Sequence, residues 1–377
     1  MAESREPTRA TQSSLPETKT PPQRREQISS LNGLRAVSVF MVVASHLATA
    51  VSTPPAIGTV LLMFNGHFFD GALGVRIFFC ISGFLNTYLL LRERDRAGHI
   101  SLKTFYIRRT LRIFPVLYAF VLFLFVATQT TALVVTPCQF VTALTFTKNY
   151  GCSSWIEGHL WSLAVELQFY LFWPAVLVFV STRAATRFAI AAIFLAPFSR
   201  LFEASAGLPQ WWLTSNIDML MVGSLAALGY RYRRDVFDRI LETQPALMRL
   251  VGFLGLIAPV ILGRLFTDEP LRIMFAPTVQ AFAATFLIVS YAFGPTGLSK
   301  AALNSKPLNF LGLISYSLYV WQEAFFIWPA DFGFDRLLTF EWPFNIAGML
   351  IVAMASYYCL ERPLLSLRAK YVRGHKP

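Results

Sequence analysis

The chain is 377 residues long, 55% hydrophobic and only 14% charged, and its 33 Lys and Arg outnumber 21 Asp and Glu to give a net charge of +12. A soluble domain carries about 25% charged residues, so this composition excludes an ordinary soluble protein and describes a polytopic membrane protein. The basic excess suits nucleic acid or the inner loops of a multispan protein, and its position along the chain decides between them.

Residues 1–28 are rich in Pro, Ser, Thr and charge, with no apolar run. They read as a disordered cytoplasmic tail, with no cleavable signal peptide. Ten apolar stretches of roughly 20 residues follow, each long enough to cross a hydrocarbon core of about 30 Å. They lie near 34–50, 73–91, 111–131, 157–180, 188–202, 213–230, 249–266, 274–293, 308–329 and 343–361. The fifth is short and contains Pro197. The predicted fold is all-α: about ten transmembrane helices in one bundle over 29–365, closed by a basic cytoplasmic tail at 366–377. With the N-terminus inside, 27 of the 33 Lys and Arg fall in the tails, in the inner loops or at the first inner border. This agrees with both termini being cytoplasmic, and topology accounts for the charge without nucleic acid.

The cysteines fit the same map. Cys80 and Cys359 fall in spans, while Cys138 and Cys152 share the outer loop 131–156. An extracytoplasmic loop is an oxidising place in many cells, which makes Cys138 and Cys152 a candidate disulfide. Topology alone leaves open whether they are bonded. No Cys/His spacing suggests a metal.

Three stretches carry residues that a span does not need. In "GLRAVSVFMVVASHL", Arg35 and His46 are eleven residues apart. At 100° per residue they share one helix face, about 16.5 Å apart along the axis. Alone, Arg35 reads as a snorkelling border residue and His46 as bonded to a neighbouring helix. Together they suggest an anion grip at the inner border with proton chemistry deeper in the membrane. "FYIRRTLRIFPVLY" places Arg108, Arg109 and Arg112 just before the third span, with Arg108 and Arg112 on one face and Pro115 early in the helix. Guanidinium forks suit phosphate oxygens, although a lipid-headgroup patch would look the same. "GHLWSLAVELQFYLFWP" buries Glu166 in a span, where a carboxylate needs a partner. Counting from opposite borders brings Glu166 and His46 to similar depth. The expected pair is therefore Glu166 against His46, the carboxylate fixing the tautomer.

These pieces, with "GVRIFFCISGFLNTYLL", "ISYSLYVWQEAFF" and "YYCLERPLL", run in order from about residue 30 to 365. Jointly they resemble the acyltransferase 3 family of integral-membrane O-acyltransferases, which acetylate surface polysaccharides and related acceptors. The resemblance implies an enzyme of the bacterial cytoplasmic (inner) membrane. It implies no bound cofactor, acyl-CoA (acetyl-CoA foremost) as cytoplasmic co-substrate, and a carbohydrate or lipid-linked glycan as hydroxyl acceptor. It implies His46 and Glu166 as catalytic residues, His46 acting as base or acyl relay, and Arg35, Arg108, Arg109 and Arg112 as acyl-donor ligands. Trp161, Ser162, Tyr316 and Arg76 are candidate acceptor or supporting residues. Two positions depart from the family: Arg76 where many members are acidic, and Gln322, which cannot titrate, where many have histidine. The chain ends sixteen residues after Glu361, so the membrane domain is expected to act alone or with a separate protein. A different class, a proton-coupled transporter using His46 and Glu166 as a relay, predicts inverted repeats; the halves show no convincing repeat.

Overall fold

The computed structural model describes residues 26–50, 53–67, 71–265, 268–326, 329–333 and 341–366. Most of the expected tails, 1–25 and 367–377, lies outside these residues. The first helix, α1, starts at Glu26, just inside the segment expected to be tail, and runs to Thr49. Then come α2 (Pro55–His67), α3 (Gly71–Ala97), α4 (Leu102–Thr130), α5 (Pro137–Leu144), the single turn α6 (Trp155–Gly158), α7 (Leu160–Phe179), α8 (Thr182–Ser205) and α9 (Leu213–Tyr232). The remainder is α10 (Arg234–Thr243), α11 (Pro245–Leu265), α12 (Glu269–Phe293), α13 (Leu298–Leu303), α14 (Lys306–Trp321) and α15 (Phe344–Ser356). No strand occurs among the described residues.

Among the described residues each of the ten expected stretches is largely helical, but the count of spans is smaller by the demands of a membrane. Among the described residues, eight helices are long and apolar enough to cross one. The exceptions are the sixth and ninth. In α9, Ser215, Asn216, Asp218 and Ser224 dilute the apolar run and are all buried. α14 is only 16 residues long and breaks at Trp321 into a 3₁₀ turn, Gln322–Phe325. Such irregular backbone at membrane depth is tolerated where protein surrounds it, and this turn is buried. The fifth stretch is longer than expected: α8 begins at the Ser181 N-cap and continues through Pro197. Likewise α4 starts at the Ser101 cap, so its arginines lie within the helix and Pro115 falls in its interior.

α1 packs against α3 and α14, α3 against α9, and α9 against α8. The close approach of α1 and α14 depends on small residues. A Cβ on Gly312 would stand 2.0 Å from the Asn32 carbonyl oxygen. Ser29 Oγ and Ser30 Oγ bond Asn309 Oδ1 (2.9 Å) and Asn304 Oδ1 (2.8 Å) across the same crossing. Outward-facing side chains such as Leu122, Phe125, Phe194, Leu195 and Ile351 are exposed. Apolar side chains on the outside are what a lipid solvent demands, and most of the interior is apolar as well.

Candidate active site

Two of the polar clusters inside the bundle lie along α1. The first gathers at the C-terminal end of α1. His46 is in the last turn of that helix. The break after α14 turns Glu323 toward it, and Glu323 Oε1 lies 3.3 Å from His46 Nε2. The other carboxylate oxygen, Oε2, lies 2.7 Å from Nδ1 of His159, the residue that joins α6 to α7. His159 Nε2 meets the Val320 carbonyl at 3.0 Å. His159 and Glu323 are both buried, whereas the His46 side chain is 23% exposed. Trp155, half exposed, presents its ring edge-on 5.6 Å from the His46 ring. Three polar atoms here are buried with no hydrogen-bond partner: His46 Nδ1 and both side-chain polar atoms of Gln322. Buried polar atoms are nearly always bonded in folded proteins, and such a concentration marks a place where a ligand completes the set.

The loop before α6 holds this cluster in place. Cys138 and Cys152 are joined by a disulfide with Cα atoms 5.8 Å apart. Inside the loop Lys148, fully buried, reaches Glu157 Oε1 (2.7 Å) and the Cys152 carbonyl (2.6 Å). Burial pushes the Lys148 ammonium below the ordinary lysine range, while Glu157 pulls it back up. Glu157 also accepts from the Ser154 amide at 3.0 Å, capping α6. The loop is thus tied to the turn that carries Trp155 and His159.

The second cluster lies toward the N-terminal end of α1. A cavity of about 60 Å³ is lined by Arg35, Arg109, Arg112, Glu166, Tyr170 and Tyr316 at one end and by Ser162 and Tyr319 at the other. The Arg109 guanidinium lies 4.6 Å from the centre of the Tyr170 ring. Glu166 accepts hydrogen bonds from the Ser82 and Tyr170 hydroxyls. Arg35 Nε is buried without a partner. Tyr316 donates to the Ile113 carbonyl of α4 at 2.7 Å. Tyr319 connects the clusters: its hydroxyl bonds Ser162 Oγ (2.5 Å) and donates to the His159 carbonyl (2.6 Å).

Several expectations need correcting. The carboxylate on His46 is Glu323, not Glu166, which sits among the arginines about two helical turns farther along α7 than His159. Equal depth, inferred from counting, did not place the two on facing sides. Arg108 leaves the arginine cluster and faces Glu93 at 3.7 Å; Arg109 and Arg112, i and i+3, point into the cavity instead. Arg76 Nη1 bonds Gln280 Oε1 of α12 at 2.5 Å. Trp161 stacks on Trp211 with ring centres 5.9 Å apart. Glu323 and His159 were missed altogether. Both stood in the recognised motifs, and an acid beside the non-titrating Gln322 was the available signal.

The comparisons with known proteins agree with this architecture. The model of an acyltransferase domain family matches residues 28–361. The O-acetyltransferase OatA of Staphylococcus aureus strain NCTC 8325, and that of strain COL, are each 26% identical over 368 residues, covering 89% of this chain and 57% of the relative. The chain therefore spans a little under three fifths of the length of these curated relatives. No solved structure matches it. The chain belongs to the acyltransferase 3 family.

Proposed function

We propose that the chain transfers an acyl group, acetyl foremost, from acyl-CoA to a hydroxyl of an extracytoplasmic or membrane-bound acceptor, a surface carbohydrate or lipid-linked glycan. The observation that carries the reading is the placement of two chemistries along α1: an arginine-lined cavity at one end and a carboxylate-paired histidine at the other, with Tyr319 and Ser162 between. Arg35, Arg109 and Arg112 suit the CoA phosphates, because guanidinium forks bind phosphate oxygens bidentately. The phosphates enter from the cytoplasmic side, and the pantetheine arm carries the thioester toward His46. Glu166, with Ser82 and Tyr170, orders the arginine end.

At the other end Glu323 holds His46 Nε2–H, which leaves Nδ1 as the basic nitrogen. Nδ1 takes the acceptor hydroxyl proton as the acceptor oxygen bonds the acyl carbon. The carbon–sulfur bond breaks, and the CoA thiolate takes the proton back from the imidazolium. The Gln322 amide, buried in the same cluster with no hydrogen-bond partner, supplies a donor for the carbonyl oxygen as charge develops on it. The relatives' name, O-acetyltransferase, supports transfer to oxygen.

The test is release of CoA thiol by purified protein in detergent or nanodiscs, given acetyl-CoA and candidate glycans. Wild type should release thiol in proportion to acylated acceptor. His46→Ala should lose 10²–10⁴-fold, about what a general base contributes, while remaining inserted. Undiminished release by a well-folded His46→Ala variant would remove the assignment.

A further inference from the structure

His159 has an acceptor on each ring nitrogen. Nε2 faces the Val320 carbonyl at 3.0 Å, which can only accept. Nδ1 faces Glu323 Oε2 at 2.7 Å. A neutral imidazole carries one N–H and can satisfy only one of them. The remaining proton therefore belongs either to the ring or to the carboxyl group.

The surroundings of Glu323 decide between the two. Oε2 also receives the His159 backbone amide at 3.4 Å, and Oε1 faces His46 Nε2. A carboxylate surrounded by donors is favoured in its charged form, and a 2.7 Å nitrogen–oxygen contact is typical of a charge-assisted bond. Tyr319 from α14 directs its hydroxyl at the His159 carbonyl, and the rings of Phe120 and Trp155 close the sides. Gln322 adds only a neutral amide. Among the described residues the ion pairs of Glu323 are with His46 and His159, and none is with Lys or Arg. Of the other buried or half-buried acids near this turn, Glu157, two residues before His159, is paired with Lys148 at 2.7 Å, and Glu166 is occupied by Ser82 and Tyr170.

We infer that His159 is a positioning residue which stays positively charged, neutralises Glu323, and so leaves His46 unprotonated and able to act as the base. The inference rests on the proposed acyltransferase reading. Its logic is electrostatic. An unneutralised carboxylate 3.3 Å from His46 would hold an imidazolium there, and an imidazolium cannot accept the hydroxyl proton. With the charge on Glu323 already answered by His159, the same carboxylate can orient Nε2–H without trapping a proton on Nδ1.

The experiment is the pH dependence of kcat/KM in nanodiscs for wild type, His159→Gln, Glu323→Gln and the double variant. His159→Gln leaves Glu323 unneutralised, so the acid limb should move to higher pH by on the order of one unit, the usual effect of a charge within 4–6 Å. Glu323→Gln removes the acid, so the limb should move to lower pH. The double variant should return toward wild type. Limbs that stay fixed, or move the same way in both single variants, would overturn the inference. Where a variant does not fold, selective ¹⁵N-histidine labelling of the wild type gives the same decision: His159 should carry protons on both ring nitrogens near neutral pH, and a single protonated nitrogen would overturn it. Activity in His46→Ala would instead strike at the base assignment itself, so the two failures are distinguishable.

Discussion

Glu323 Oε1 stands 3.3 Å from His46 Nε2, and the two residues come from helices at opposite ends of the sequence. They meet because α14 stops at Trp321 and its last turn rewinds as a 3₁₀ helix over Gln322–Phe325. A continuous α-helix would carry residue 323 round by 100° per residue from Trp321; the tighter turn gives it a different direction. The pairing separates the roles of Glu323 and Glu166. Glu323→Ala should cost kcat on the order of 10²-fold, the lower range for a general-base system, with little change in the apparent KM for acyl-CoA. Glu166→Gln should act mainly on that KM. Steady-state kinetics with acyl-CoA varied would show the split, and equal effects of both variants on both constants would contradict it.

The arginines separate in the same way. Arg109→Lys and Arg112→Lys keep the charge but lose the planar fork, and should raise the KM for acyl-CoA several-fold. Arg108→Lys should not, because Arg108 faces Glu93 rather than the cavity. Initial rates against acyl-CoA concentration decide it. A response of Arg108→Lys as large as that of Arg112→Lys would show that the donor site extends past the cavity.

The disulfide loop should matter for stability and, through it, for activity. A Cys138–Cys152 bridge across a loop of about fifteen residues contributes about 3 kcal/mol in the chain-entropy model. The double Ser variant should melt earlier in detergent. Lys148→Met leaves Glu157 buried without its partner, a change that typically costs about 3–5 kcal/mol, and should melt earlier still. Both variants should lose turnover before global unfolding, since the loop fixes the turn bearing Trp155 and His159. Thermal melts read alongside activity at each temperature give the comparison; coincident loss would mean that the loop acts only through global stability.

Gly312→Ala tests how closely α1 and α14 must approach. Its Cβ would stand 2.0 Å from a backbone oxygen of α1, and backbone cannot give way as a side chain can. The two helices must therefore move apart, which draws Glu323 away from His46. The expected outcome is a thermally weakened protein whose turnover falls further than that of an alanine placed at the exposed Leu313 of the same helix. Equal turnover in the two variants would show that the spacing of α1 and α14 does not set the geometry at His46.

Much of this bundle was legible in the sequence. Apolar runs fixed where helices lie, and the charge bias set an expected orientation. The polar residues inside spans drew attention to Arg35, His46, Arg109, Arg112 and Glu166. What the sequence could not carry was lateral position. Depth along a helix follows from counting residues, but which neighbour a side chain meets depends on helix order and rotation around the bundle. Counting therefore sets Glu166 against His46, whereas it bonds Ser82 and Tyr170. The same limit hid His159, whose motif reads equally well as a polar helix start, and Glu323, which reads as the polar end of a span until the break in α14 turns it inward.

Sidedness tests the whole arrangement most directly. Purified protein is reconstituted in sealed vesicles, with orientation checked by protease access to the N-terminal tail. Acyl-CoA is supplied only on the face that carries the tail and a candidate glycan only on the other, and acylated glycan is measured by mass. The expected result is acylated glycan in the opposite compartment with wild type and none with His46→Ala, while the membrane stays sealed to CoA. Acylation only when donor and acceptor share one compartment would contradict an arginine end for the donor and a histidine end for the acceptor.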